Sequence, residues 1–217
     1  MSTIVPSSHN DEYFMSRALV LAARGLYTTT PNPRVGCVIV NRDTIVGEGW
    51  HVTSGAEHAE ITALAQAGAS ASGGTLYVTL EPCAHYGKTP PCVDAIVQAG
   101  VSRVVFAAKD PNPLVDGQGI KRLRANGISV VGDICSRESE ELNLGFFKRM
   151  RSGKPWVRVK VAAGLDGKTA LENGKSQWIT SEESRIDAHK WRAQSCAVLT
   201  GVGTVVEDDP RLTVRHI

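Results

Sequence analysis

No run of about 18 apolar residues occurs in the sequence, so a membrane-spanning helix is not expected. The opening residues MSTIVPSSHNDEY lack both a basic stretch and an apolar stretch behind it. The chain therefore reads as having no signal peptide and as residing in the cytoplasm. Cysteine is sparse and odd in number: Cys37, Cys83, Cys92, Cys135 and Cys196. Without a secretory signal, an odd set argues against a disulfide framework and for metal binding or buried free thiols. A basic block is also lacking, with 13 basic against 14 acidic residues in 1–150 and 11 against 8 in 151–217. Nucleic-acid surfaces concentrate Lys and Arg on one face, so this balance favours a small-molecule substrate. There is no internal repeat, no low-complexity tract and no GxGxxG after a strand to mark a dinucleotide site. What remains, 42% hydrophobic and 21% charged, suits one large or two small globular domains.

Apolar periodicity alternates between helical and extended types. DEYFMSRALVLAARG reads as an amphipathic helix with Phe14, Ala18, Leu21 and Ala22 on one face and Gly25 as its stop. VGCVIV and TIVGEGW, joined by NRD, read as a hairpin. HAEITALAQAG, CVDAIVQAG and GIKRLRANG read as helices closed by glycine, with TLYVTL and RVVFAAK as strands between them. The pattern predicts a three-layer αβα sandwich with a largely parallel sheet. SRESEELNLGFFKRM reads as one further helix, and RSGKP places a domain boundary near Gly153, dividing the chain into 1–153 and 154–217. Beyond it, WVRVKVAA and CAVLTG read as strands and SEESRIDAHKWRAQ as a helix.

Two short segments carry chemistry. His58 and Glu60 stand at the start of a predicted helix; Cys83 follows a strand and Cys92 opens the next helix. One His and two Cys are three ligands, and a tetrahedral zinc held by three protein groups keeps an open position, as catalytic sites do. Helix N-termini favour the thiolates such a site needs, at Cys92 and also at Cys83. Glu60 is assigned the proton transfers and not metal ligation, the arrangement of zinc-dependent deaminases. On an ideal helix, residues two apart point about 200° apart, so His58 and Glu60 can serve one site only if the first turn is irregular. A structural zinc site, closed by a fourth ligand such as His85, is the competing reading.

The loop AHYGKTPP between the two Cys, together with TPNPRVGCVIV, GEGWH, SGAEHAE, KDPNP and SQWIT, resembles a specific family. It is that of the bacterial bifunctional riboflavin-biosynthesis enzymes, a diaminohydroxyphosphoribosylaminopyrimidine deaminase fused to a 5-amino-6-(5-phosphoribosylamino)uracil reductase. The resemblance covers essentially the whole chain after residue 10. It implies a cytidine-deaminase-like domain followed by the start of an α/β, dihydrofolate-reductase-like domain. The implied reactions are hydrolytic deamination of a ribosylaminopyrimidinone 5′-phosphate and NADPH-dependent reduction of the ribose to ribityl. The implied substrate contacts in the first domain are Asn32, His51, His85 and Lys88. In the second, Ala162, Trp178, Thr204 and Asp208 would contact NADP, and Ser176, Arg192, Leu212 and Arg215 the substrate. Read without the resemblance, Asn32 between two prolines is equally a turn former, Trp178 a core residue and Arg192 part of a solvated helix face.

The sequence therefore predicts a zinc deaminase with a small phosphorylated pyrimidine as partner, no nucleic acid or membrane partner, and self-association into a homo-oligomer. Residues 154–217 are too few for a dinucleotide-binding sheet of about five or six strands, so that domain reads as incomplete. A tRNA or nucleoside deaminase and a non-catalytic, zinc-stabilised binding module are the alternatives. A tRNA enzyme fits the near-neutral charge of 1–150 poorly, and a purely structural zinc has no use for Glu60.

Overall fold

A computed structural model describes residues 8–84, 90–113 and 115–215. The chain divides after Trp156 into two compact units. In the first unit the strands β1 (Gly36–Asn41), β2 (Thr44–Trp50), β3 (Thr75–Leu80), β4 (Arg103–Ala108) and β5 (Ser129–Val131) form one sheet in the order β2-β1-β3-β4-β5. β1 runs antiparallel to both β2 and β3, whereas β3, β4 and β5 are parallel. The hairpin turns through Arg42 and Asp43, both at positive φ, which matches the right-handed twist of its strands.

The period-two alternation of each strand divides the core. Cys37, Ile39, Leu76, Val78 and Val104 face α2 (Ala59–Ala67), α3 (Cys92–Gln98) and α4 (Gln118–Ala125), whose Ala63, Val93, Ile96 and Leu123 complete that layer. Val38, Val40, Tyr77 and Val105 face the opposite way, towards Phe14, Met15, Ala18 and Leu21 of α1 (Ser8–Ala23). This is the three-layer sandwich the periodicity implies. α1 is fastened to the sheet by a bidentate pair between Arg103 and Asp11 (2.8 and 2.7 Å), with the Tyr77 hydroxyl donating to the same carboxylate at 2.9 Å.

The seat of α2 decides where the chemistry lies. A Cβ at Gly49 of β2 would stand 2.3 Å from the Ala59 carbonyl oxygen, and one at Gly47 would stand 2.2 Å from that of Ala63. Only glycine lets the helix rest directly on this edge strand. Gly49→Ala must push out the first turn of α2, which carries Glu60. At roughly 1–3 kcal/mol for overpacking, it should lower Tm by about 3–10 °C. Thermal unfolding together with the zinc content of the variant checks this.

Three sequence expectations need correction. The segment 136–150 is not one helix but two, α5 (Ser136–Leu142) and α6 (Leu144–Ser152), parted at Asn143. Asn143 leaves helical backbone to clamp the chain entering β1: its Oδ1 accepts from the Arg34 N–H at 2.8 Å and its Nδ2 donates to the Arg34 carbonyl at 3.0 Å. In the second unit, neither WVRVKVAA nor CAVLTG forms a strand among the described residues. Val157, Val159 and Val161 are instead exposed, without the hydrogen-bonded neighbour that a strand requires. That unit holds α7 (Glu182–Ala193), capped by the Ser181 hydroxyl accepting from the Ser184 N–H, and an unanticipated α8 (Val202–Asp208). No helix among the described residues is long and apolar enough to cross a membrane.

Candidate active site

His58, Cys83 and Cys92 converge although 25 and 34 residues separate His58 from the two thiols. β3 delivers Cys83 just past its end, α3 opens on Cys92, and His58 caps α2. Their ligand atoms lie within 4.8 Å of one another. His58 Nδ1 stands 3.0 Å from Cys92 Sγ and 3.6 Å from Cys83 Sγ, so Nδ1 is the nitrogen turned to the sulfurs. Zinc bonds of about 2.0 Å to nitrogen and 2.3 Å to sulfur, at tetrahedral angles, set N and S about 3.5 Å apart. The donor set and its spacing fit zinc, and a hard cation would prefer oxygen.

The two thiols are hydrogen-bonded and share the site's charge unequally. The bond from the Cys92 thiol holds Cys83 down to about 4, with His58 and the Cys92 backbone N–H, 3.4 Å from Cys83 Sγ, assisting against burial. Cys92 is pushed up, by that same bond to Cys83 and by burial. Between the two thiols the negative charge is thus favoured at Cys83 and opposed at Cys92, where Cys83 and Glu60 both press negative charge on it.

Glu60 lies outside the ligand cluster, buried at 4% exposure, with its carboxylate in hydrogen-bonding reach of the Cys92 side chain. Burial, and then the Cys83 charge, raise its pKa against the pull of His58. The angular difficulty posed by the His-x-Glu spacing disappears because His58 is extended (φ −74°, ψ 156°) and stands before the helix. Both side chains, with Cys83, line a cavity of about 300 Å³, the size of a small-ligand site.

Asn32 and His51 line the same cavity. Buried His51 has Nδ1 3.0 Å from the Glu57 carbonyl oxygen, so Nδ1 carries the proton, and Nε2 accepts from Asn32 Nδ2 at 3.1 Å. Burial lowers the His51 pKa, in keeping with that neutral tautomer. His85 and Lys88 lie outside the described residues. Sequence reasoning assigned no role to Glu81, Asp110, Asn112 or Arg149, which also line the cavity. The KDPNP segment is the available signal for Asp110 and Asn112, and Glu81 stands directly after the strand TLYVTL. Glu81 accepts from the backbone N–H groups of Gly117 (3.0 Å) and Ile120 (3.4 Å), tying α4 to the site; burial lifts its carboxyl. Burial likewise lifts Asp110, to about 6, against the hydrogen bond it accepts from the Asn112 N–H.

The second unit does not gather its eight expected contact residues. The Arg192 guanidinium donates to the Thr213 carbonyl at 2.9 Å, and the Arg215 N–H donates to His189 Nδ1 at 3.1 Å, which joins those two positions to one segment. Trp178 is 71% exposed, not core, and the Arg185 guanidinium lies over its ring. Ser176, Thr204, Asp208 and Leu212 are exposed and Ala162 is half-buried, and no described contact links them to one another. Within the described residues these positions are not brought into one site. Titration of the chain with NADPH should therefore show no saturable micromolar binding, as a fluorescence or calorimetric titration would reveal.

Residues 8–108 match the cytidine and deoxycytidylate deaminase zinc-binding region, and residues 155–217 match the RibD C-terminal domain. The chain is 57% identical over 205 residues to the riboflavin biosynthesis protein RibD of Escherichia coli K12, covering 94% of this chain and 56% of that protein. It is 54% identical over 208 residues to the protein of the same name from Haemophilus influenzae, covering 96% of this chain and 56% of that protein. Among solved structures, Acinetobacter baumannii RibD superimposes with a TM-score of 0.93 at 54% identity, over 96% of this chain and 59% of that one. A Thermotoga maritima diaminohydroxyphosphoribosylaminopyrimidine deaminase/5-amino-6-(5-phosphoribosylamino)uracil reductase gives 0.91 at 43% identity, over 96% of this chain and 60% of that one. The chain thus spans little more than half the length of the curated relatives it matches.

Proposed function

Because the chain belongs to the RibD family of riboflavin-biosynthesis proteins, we propose that it hydrolytically removes an amino group from 2,5-diamino-6-ribosylamino-4(3H)-pyrimidinone 5′-phosphate. The observation that carries this reading is the buried His58–Cys83–Cys92 cluster at a cavity whose neighbouring carboxyl, Glu60, belongs to no ligand set. His58 through Nδ1, with Cys83 and Cys92, would hold zinc, which supplies the Lewis acidity that makes water nucleophilic near neutral pH. Glu60 takes one proton from the attacking water and delivers it to the ring nitrogen, then takes the second from the hydroxyl now on the ring carbon and delivers it to the departing amino group, so ammonia leaves neutral. Its burial suits that exchange, since a carboxyl out of bulk water gives up and regains a proton more evenly.

Asn32 and His51 serve the ring. With one Asn32 N–H committed to His51 Nε2, the amide plane is set, and its remaining donor and its oxygen are available to a pyrimidine edge. His85 and Lys88 are proposed to face the ring and the phosphate respectively. In the whole protein the product would pass to NADPH-dependent reduction of its ribose, with Ala162, Trp178, Thr204 and Asp208 on the cofactor side and Ser176, Arg192, Leu212 and Arg215 on the substrate side.

The test is ammonia release by the zinc-loaded chain from the phosphorylated diaminopyrimidinone, with cytidine, dCMP and tRNA as competitors. Turnover of the first alone is expected. Preference for a cytosine substrate would move the chain to a nucleoside or tRNA deaminase, and zinc without any turnover would make it a binding module.

A further inference from the structure

Arg149 is the only Lys or Arg among the described residues lining the cavity. It lies on α6, and with Phe146 and Met150 it presents one helical face, spaced i, i+3, i+4, to the cavity. That helix is firmly seated: Phe147 packs with Leu80 and Ala108 at the carboxyl ends of β3 and β4, and Asn143 clamps its start to Arg34. In doubly wound sheets, ligands bind outside those strand ends.

The neighbouring arginines are committed. Arg151 makes a bidentate pair with Glu140 at 2.8 and 2.7 Å, and Arg34 donates to the Leu26 and Leu142 carbonyls. Arg149 makes no side-chain hydrogen bond or ion pair among the described residues and is exposed, whereas His51 and Glu60, which line the same cavity, are buried. The cavity therefore has a polar, buried floor suited to a heterocycle and a cationic rim. A dianion is costly to desolvate and remains where water reaches it, unless a cation follows it inward.

We infer that Arg149 binds the phosphate group of a phosphorylated ligand at the mouth of this cavity and so selects phosphorylated over unphosphorylated substrate. This rests on the deaminase reading for the identity of the ligand but not for the phosphate contact itself. Glu81 and Asp110 do not contradict it. Glu81 is occupied by the backbone N–H groups of Gly117 and Ile120, Asp110 accepts from the Asn112 N–H, and both are buried.

The test uses two readouts on the zinc-loaded chain and its Arg149→Gln and Arg149→Lys variants. In calorimetric titration with ribose 5-phosphate, Arg149→Gln should weaken binding about tenfold, the weight of one charge-assisted contact at a solvated rim, and Arg149→Lys should recover part of it. The loss should shrink as salt is raised. In ammonia release, Arg149→Gln should raise KM for the phosphorylated diaminopyrimidinone by a similar factor with kcat nearly unchanged, and leave the dephosphorylated analogue unaffected. Equal ribose 5-phosphate binding by wild type and Arg149→Gln, absence of binding by wild type, or equal KM changes with both substrates would overturn the assignment. Wild type that binds ribose 5-phosphate through Arg149 but releases no ammonia would reject the deaminase reading and leave the phosphate site standing.

Discussion

Glu60→Gln should lower turnover by about 10² or more while zinc content and substrate affinity stay near wild type. The two side chains have the same shape, so the buried space beside Cys92 remains filled. What is lost is the ability to take up and release a proton. A structural role predicts the reverse pattern, in which stability falls and turnover follows only through lost folding. Steady-state ammonia release beside metal analysis and thermal unfolding separates the two. Near wild-type turnover by a folded, zinc-loaded Glu60→Gln protein would remove Glu60 from the reaction.

Cys83→Ser and Cys92→Ser should each take zinc from about one per chain to near zero, and turnover should vanish with it. A serine hydroxyl stays protonated near neutral pH and is the wrong donor for a soft site, whereas Cys83 is already poised as the thiolate. Cys196→Ser supplies the control, since that thiol is exposed and outside the cluster. Elemental analysis after gel filtration reads the outcome. Full zinc in either cluster variant would mean that the metal, if present, is held elsewhere.

Much of the first unit was legible because its signals are local. The alternation in β1, β3 and β4 assigns each side chain to a face, and glycines at 68, 100 and 127 follow the ends of three helices. The metal ligands were legible as a motif, since strand ends and helix starts bring His58, Cys83 and Cys92 together. The answer to the His-x-Glu spacing was not, because it turns on where α2 begins: His58 stands one residue before the helix, in extended backbone. Nor was the break at Asn143, whose cause is a contact to Arg34 across 109 residues of chain. Arg149 carries no motif at all; only the seating of α6 brings it to the cavity rim. In the second unit the alternating valines of 157–161 carry a strand signal, but a strand needs a partner that periodicity does not supply.

The most direct test of hydrolytic deamination is to run the reaction in ¹⁸O-labelled water and weigh the pyrimidine product. Hydrolysis predicts one solvent oxygen in the ring product for each ammonia released, in wild type and not in Glu60→Gln over the same time. Ammonia without solvent oxygen in the product, or no change in the diaminopyrimidinone with zinc fully bound, would contradict the account.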